Sequence, residues 1–209
     1  FEDTFGMPQK TLYLLSFIAC VFAVHSFWRF WYKPKNWKIY MKIVAIANLM
    51  FTAVDVNGFD STFNVQPPLR SEADRKALLA GVNDGTLAIC SNHQPKDIAA
   101  KKAPFAAAES GMSILDSWLS MMLTLVKNEE LELSAMINAS SILPAKILGL
   151  SQGIHIGQPA NLILVNQHTE VCYHQEDLLS SGKNSPILGA TLVGQVQLTM
   201  SAGRQVYRA

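Results

Sequence analysis

The spacing of apolar positions changes several times along the chain, and each change predicts a different element. Thr11–Tyr32, "TLYLLSFIACVFAVHSFWRFWY", is almost continuously apolar and is followed by the basic "KPKNWKIYMK". Leu12–Trp28 within it is 17 residues long, the short limit for a membrane-spanning helix, and its aromatic and basic rim fits an interfacial anchor. His25 and Arg29 fall at or near the inner end, and neither a charged leader nor a small-residue cleavage site marks a signal peptide. The expectation is a buried segment, with a membrane anchor as the lesser alternative. From Ala53 to Arg70 the chain is polar and turn-rich, a loop closed by Pro67-Pro68. Ser71–Gly85 predicts a helix. Ser71 is the N-cap, Asp74 stands in the capping-box position, Leu78, Leu79 and Val82 form the apolar face, and Gly85 is the stop. Thr86–Ser91 is apolar nearly throughout, as a strand buried on both faces of a parallel sheet would be. In Ser113–Leu131 the residues Leu115, Trp118, Leu119, Met122 and Leu125 follow the helical period. Two short helices ending at Gly149 follow. Alternating strands then take over in "PANLILVNQ" and "ATLVGQVQLTMSAGRQVYRA", punctuated by Gly194 and Gly203.

The helix, strand, loop order is the rhythm of an α/β barrel, whose chemistry sits at the C-terminal ends of its strands. Asn92-His93-Gln94-Pro95-Lys96 lies at such an end. A loop there is expected to carry a metal ligand or a general base, yet an asparagine amide takes up no proton at neutral pH. The competing reading is a turn retained for folding, with Pro95 fixing its shape and His93 bonded to backbone. Cys90, on the buried strand, reads as packing, with burial raising its thiol pKa. His155 reads as an exposed turn residue. Arg70 either holds an anion or supports the helix that follows it.

Composition narrows the function classes. A chain of 209 residues, 49% hydrophobic and 16% charged, can bury a real core. Its net charge of +1 gives no electrostatic reason to bind nucleic acid. Cys20, Cys90 and Cys172 are far apart with no C-x-x-C pair, which argues against a disulfide framework or zinc ribbon and fits a reducing cytoplasm.

Five stretches, taken in order, resemble the dihydroorotases of the amidohydrolase superfamily. They are "FDSTFNVQPPLR" (59–70), "DGTLAICSNHQPKD" (84–97), "KKAPFAAAESGMSILDS" (101–117), "AKILGLSQGIHIGQPANLILVN" (145–166) and "SSGKNSPILGATLVGQVQLTMSAGRQVY" (180–207). The resemblance implies an α/β fold: the C-terminal part of a (β/α)8 barrel over 44–150, then a small β domain over 151–209. Residues 1–43 match poorly and are expected to come from a shifted frame or a truncated gene.

In the family, a metal-activated water opens a cyclic amide, interconverting carbamoyl-aspartate and dihydroorotate. The family loop resembles D-H-A-P-H, its Asp serving as metal ligand and base. Here Asn92 stands at that Asp, and Lys96 at the last His. Gln66 replaces a substrate-contacting Asn in the Pro-Pro-Leu-Arg motif that ends at Arg70. Ala47-Asn48 stands where the family has a His pair, so those ligand positions are lost, and Ile114 replaces a glycine. No H-x-H pair occurs. The resemblance therefore implies vestigial substrate contacts at Gln66, Arg70, Lys96 and His93, and no metal or other cofactor. It is closest to inactive homologues that associate with the aspartate transcarbamoylase catalytic chain, which implies a cytoplasmic hetero-oligomer. The alternative is an active zinc-dependent dihydroorotase.

Overall fold

The computed structural model describes residues 42–150 and 153–209. The two shortest strands set the site. β1 (Ile43–Ala45) and β2 (Ala88–Cys90) pair in parallel, with Ile43 beside Ala88 and Ala45 beside Cys90. Val44, Ala45, Ala88 and Ile89 are buried, the last two as the apolar run over Thr86–Ser91 predicts. Parallel strands need a crossover, and the chain supplies it with α1 (Ile46–Met50), two 3-10 turns and α2 (Glu72–Asn83). α2 begins where the capping box predicts: the Ser71 side chain accepts from the Asp74 N–H, and the Asp74 carboxylate accepts from the Ser71 N–H. Arg75 on α2 donates to the Leu49 carbonyl at 3.0 Å and pairs with Glu130 at 2.5 Å, fastening α2 to the end of α1 and to the loop around Glu130.

Beyond β2 come α3 (Ile98–Lys101), a 3-10 turn at Leu115–Ser117, and α4 (Trp118–Lys127). The periodicity predicted one helix over Ser113–Leu131, and the structure shortens it at both ends. At the start, the N–H groups of Ser113 and Ile114 are given to the Asn184 carbonyl and the His93 ring, so this backbone belongs to the loop contacts rather than to a helix. At the end, Glu129 takes a left-handed φ of 60° and Glu130 donates back to Leu125. α5 (Leu133–Ile137) and α6 (Leu143–Leu148) are joined by a π-turn over Asn138–Ile142, and Gly149 ends α6 at φ 69°.

The small antiparallel sheet runs β3 (Leu162–Cys172), β4 (Thr191–Ser201), β5 (Arg204–Arg208), in that spatial order. It docks on α4 through Gly194. A Cβ there would lie 2.2 Å from Leu123 Cδ1, and the residue takes φ 104°, so both the approach and the backbone demand glycine. Ser120 Oγ seals the contact by donating to the Gly194 carbonyl at 2.8 Å. The core gathers Ile46, Leu49, Met112, Ile114, Met121, Met122, Leu125 and Ile187. Among the described residues, no helix is long and apolar enough to cross a membrane. The Leu12–Trp28 segment lies outside the described residues.

Candidate active site at the ends of the parallel strands

β1 and β2 finish side by side, and the residues that follow them form the candidate site. After β1, Ala47 is fully buried and Asn48 nearly so. Asn48 Nδ2 donates to the Pro68 carbonyl at 3.1 Å, while its Oδ1 is buried without a protein partner. After β2, Asn92 adopts φ 48°, a left-handed conformation that asparagine tolerates better than most residues. It is 4% exposed. Its Nδ2 donates to the Gln66 carbonyl at 2.8 Å, and its Oδ1 accepts from Gln94 Nε2 at 3.0 Å. Only the nitrogen end of the amide can face a carbonyl oxygen, so the orientation is fixed chemically.

His93 is bonded to backbone. Its Nδ1 accepts from the N–H groups of Ile114 and Leu115, both at 3.0 Å. Nδ1 therefore carries no proton and Nε2 does. Ser180 Oγ lies 3.5 Å from Nε2, facing a protonated nitrogen, so His93 in this tautomer takes no proton from Ser180. Burial pushes the His93 pKa below the usual imidazole range, and the nearby Asp116 carboxylate opposes the shift.

Lys96 turns away from this cluster. Its Nζ is 2.8 Å from Glu109 Oε2, which holds the Glu109 carboxyl below its ordinary range. Its backbone N–H donates to Asn184 Oδ1 at 2.6 Å, and Asn184 Nδ2 donates to Gly111 at 2.9 Å. The loop is threaded tightly here. A Cβ on Gly182 would meet Lys96 N at 2.6 Å, and one on Gly111 would meet Gln94 O at 2.5 Å.

The structure thus brings Asn48, Gln66, Asn92 and His93 to the two strand ends, with Gln66 entering through its backbone carbonyl while the residue as a whole is exposed. Arg70 is set apart. Its side chain is 68% exposed and lies 3.9 Å from Asp74 on α2, an arrangement that supports the helix. Glu109, Ser180 and Asn184 had no sequence signal beyond their polarity, yet they meet the loop at Lys96 and His93. Cys90 behaves as packing, its thiol pKa pushed up to about 11 by burial. His155 is exposed.

The donor set does not suit a divalent metal. Among the described residues, no group of three or more His, Cys, Asp or Glu is placed to hold one. Zinc binds thiolate, imidazole or carboxylate lone pairs. These strand ends offer a methyl group, two amides with their N–H groups committed to carbonyls, and an imidazole whose lone pair receives two backbone N–H groups.

Comparison with known proteins agrees with this architecture. Residues 44–206 match the amidohydrolase family. A "Dihydroorotase-like protein" from Pseudomonas aeruginosa is 40% identical over 162 residues, covering 77% of this chain and 38% of the relative. A dihydroorotase from Caldanaerobacter subterraneus subsp. tengcongensis is 37% identical over 155 residues, covering 73% and 36% respectively. The chain therefore spans less than two-fifths of the length of these curated relatives. In structure it is similar to the L-hydantoinase of Arthrobacter aurescens, with a TM-score of 0.73 at 24% identity over 79% of this chain and 39% of that one. The fold is accordingly part of a TIM-barrel amidohydrolase, with a small β unit after the barrel segment.

Proposed function

The chain belongs to the amidohydrolase family, and from that premise we propose that it is the C-terminal part of a dihydroorotase-like protein of pyrimidine biosynthesis that does not catalyse the reaction. Its role is then structural, as a cytoplasmic partner of the aspartate transcarbamoylase catalytic chain in a hetero-oligomer, with no cofactor. The similarity to dihydroorotases and to a dihydroorotase-like protein supports the pathway. The observation that carries the non-catalytic reading is Asn92. Opening a cyclic amide needs a group that takes a proton from water and returns it to the leaving nitrogen. At the strand end the family uses for that purpose, this chain has an amide whose nitrogen and oxygen are both engaged, with Gln66 and Gln94. Losing a general base alone costs about 10²–10⁴ in rate.

The second reading, an active zinc-dependent dihydroorotase, draws on the 37% identity to a dihydroorotase. Two assays on the full chain, and on any longer protein that carries it, separate the readings. The first follows carbamoyl-aspartate and dihydroorotate interconversion with added zinc. The second is gel filtration with an aspartate transcarbamoylase catalytic chain. No turnover together with co-elution is the expected result. Zinc-dependent turnover would establish the second reading, and separate elution would remove the partner role.

A further inference from the structure

We infer that a buried clasp of side-chain amides takes the structural place of a metal centre at these strand ends, tying β1 and β2 together through the segment Gln66–Pro68. The inference rests on the reading of this site as a former metal centre. Three contacts carry it. Asn48, in α1 directly after β1, donates to the Pro68 carbonyl at 3.1 Å. Asn92, from the end of β2, donates to the Gln66 carbonyl at 2.8 Å. Gln94 holds the Asn92 amide in that orientation at 3.0 Å. Asn48 is 7% exposed and Asn92 4%, so the donor side of each contact is shielded from water although Gln66 and Pro68 are themselves exposed residues.

A metal ion cross-links strand ends by collecting lone pairs from several elements at one point, and its binding energy becomes folding energy. In this chain the same elements are cross-linked with the opposite polarity. The side chains present N–H donors and the loop presents carbonyl acceptors. A divalent cation placed between them would face amide N–H groups, which repel it. The unpartnered Asn48 Oδ1 is a single neutral oxygen, far short of the three or four anionic or imidazole ligands zinc requires. Stability of the chain should therefore be indifferent to divalent metal and sensitive to the amides.

The test is thermal unfolding of the full chain in EDTA and in zinc chloride, repeated for Asn92→Ala, Asn48→Ala and the double variant. The midpoint of the unsubstituted chain is expected to be the same in both buffers. Asn92→Ala should lower it by about 5–10 °C, the loss of two shielded hydrogen bonds in a chain of this size. The double variant should lose less than the sum, because both amides restrain one three-residue segment. A midpoint that falls in EDTA and recovers with zinc would overturn the inference, as would an Asn92→Ala chain that melts with the unsubstituted one. If a variant fails to fold, the comparison of EDTA with zinc on the unsubstituted chain still decides. Turnover of dihydroorotate with an EDTA-indifferent midpoint would sink the non-catalytic reading. An EDTA-sensitive midpoint without turnover would sink the clasp alone.

Discussion

Asn92→Asp introduces a carboxylate at the end of β2 with almost no change in volume, and the structure says it should weaken the fold in a pH-dependent way. The substituted side chain keeps the contact with Gln94 Nε2, now 3.0 Å from the Asn92 oxygen, and loses the one with the Gln66 carbonyl, now 2.8 Å from the Asn92 nitrogen. Oxygen then faces oxygen at a position 4% exposed. Leaving that carbonyl unpaired costs about 1–3 kcal/mol. The added negative charge brings the total to about 3 kcal/mol at neutral pH, the lower edge of the range for an uncompensated buried charge, because Gln94 still donates. The penalty belongs to the ionised form alone. A protonated acid can donate its O–H to Gln66, as the amide does now. Folding therefore holds the introduced carboxyl protonated to a higher pH than in the unfolded chain. With one pKa unit worth about 1.4 kcal/mol, the shift is about two units, from about 3.9 to about 6. A raised folded pKa means that the stabilising effect of the proton is complete below about pH 4 and is lost as pH rises towards about 6. The deficit of the variant should open across that interval and stay level above it. Urea midpoints of both chains at pH 4, 5, 6 and 7, with m-values checked for constancy, measure it directly. Repeating the comparison in a His93→Gln background removes the titration of the neighbouring imidazole from the difference. A variant as stable as the parent at pH 7, or a deficit that is the same at pH 4 and pH 7, would refute the reasoning.

Three further outcomes follow from other contacts. Gly194→Ala puts a methyl group 2.2 Å from Leu123 Cδ1 at a left-handed backbone position and should cost about 2–4 kcal/mol by urea unfolding. Leu123→Ala in the same chain should recover part of that loss, and strict additivity would contradict the packing account. His93 is held neutral by burial. Because its folded pKa is depressed, its contribution to stability is present above the unfolded value of about 6.5 and is lost as pH falls towards the folded pKa. His93→Gln should flatten the stability profile below about pH 6.5, and an unchanged slope there would count against it. Iodoacetamide at mildly alkaline pH should label the exposed Cys172 in the folded chain and spare Cys90, whose thiol pKa is pushed up to about 11, until urea is added. Peptide mapping that finds the two labelled equally without urea would show that burial does not protect Cys90.

What the sequence reveals depends on how far apart the causes lie. α2 is legible because its capping box and stop glycine all fall within Ser71–Gly85. The turn between β4 and β5 is legible because Ala202-Gly203 marks it locally. α4 is misjudged at its start because the partners of Ser113 and Ile114, Asn184 and His93, come from distant parts of the chain. The site shows the same limit in a sharper form. The loop at 92–96 can be located from its place after a buried strand, and the missing carboxylate is evident at once. The use of the amide is not evident, because it acts on a backbone carbonyl 26 residues earlier, and a backbone carbonyl leaves no mark on residue identity. The Lys96 backbone is likewise held by Asn184, 88 residues later. An asparagine at a strand end can therefore mean a decayed base or a recruited hydrogen-bond donor, and the letters are the same in both cases. The partner atom distinguishes them. Here it is a backbone acceptor facing the buried Asn92 side chain, and a carboxylate there would meet repulsion instead of a bond. A carboxylate placed at position 92 alone would thus break an existing contact before it could supply any chemistry.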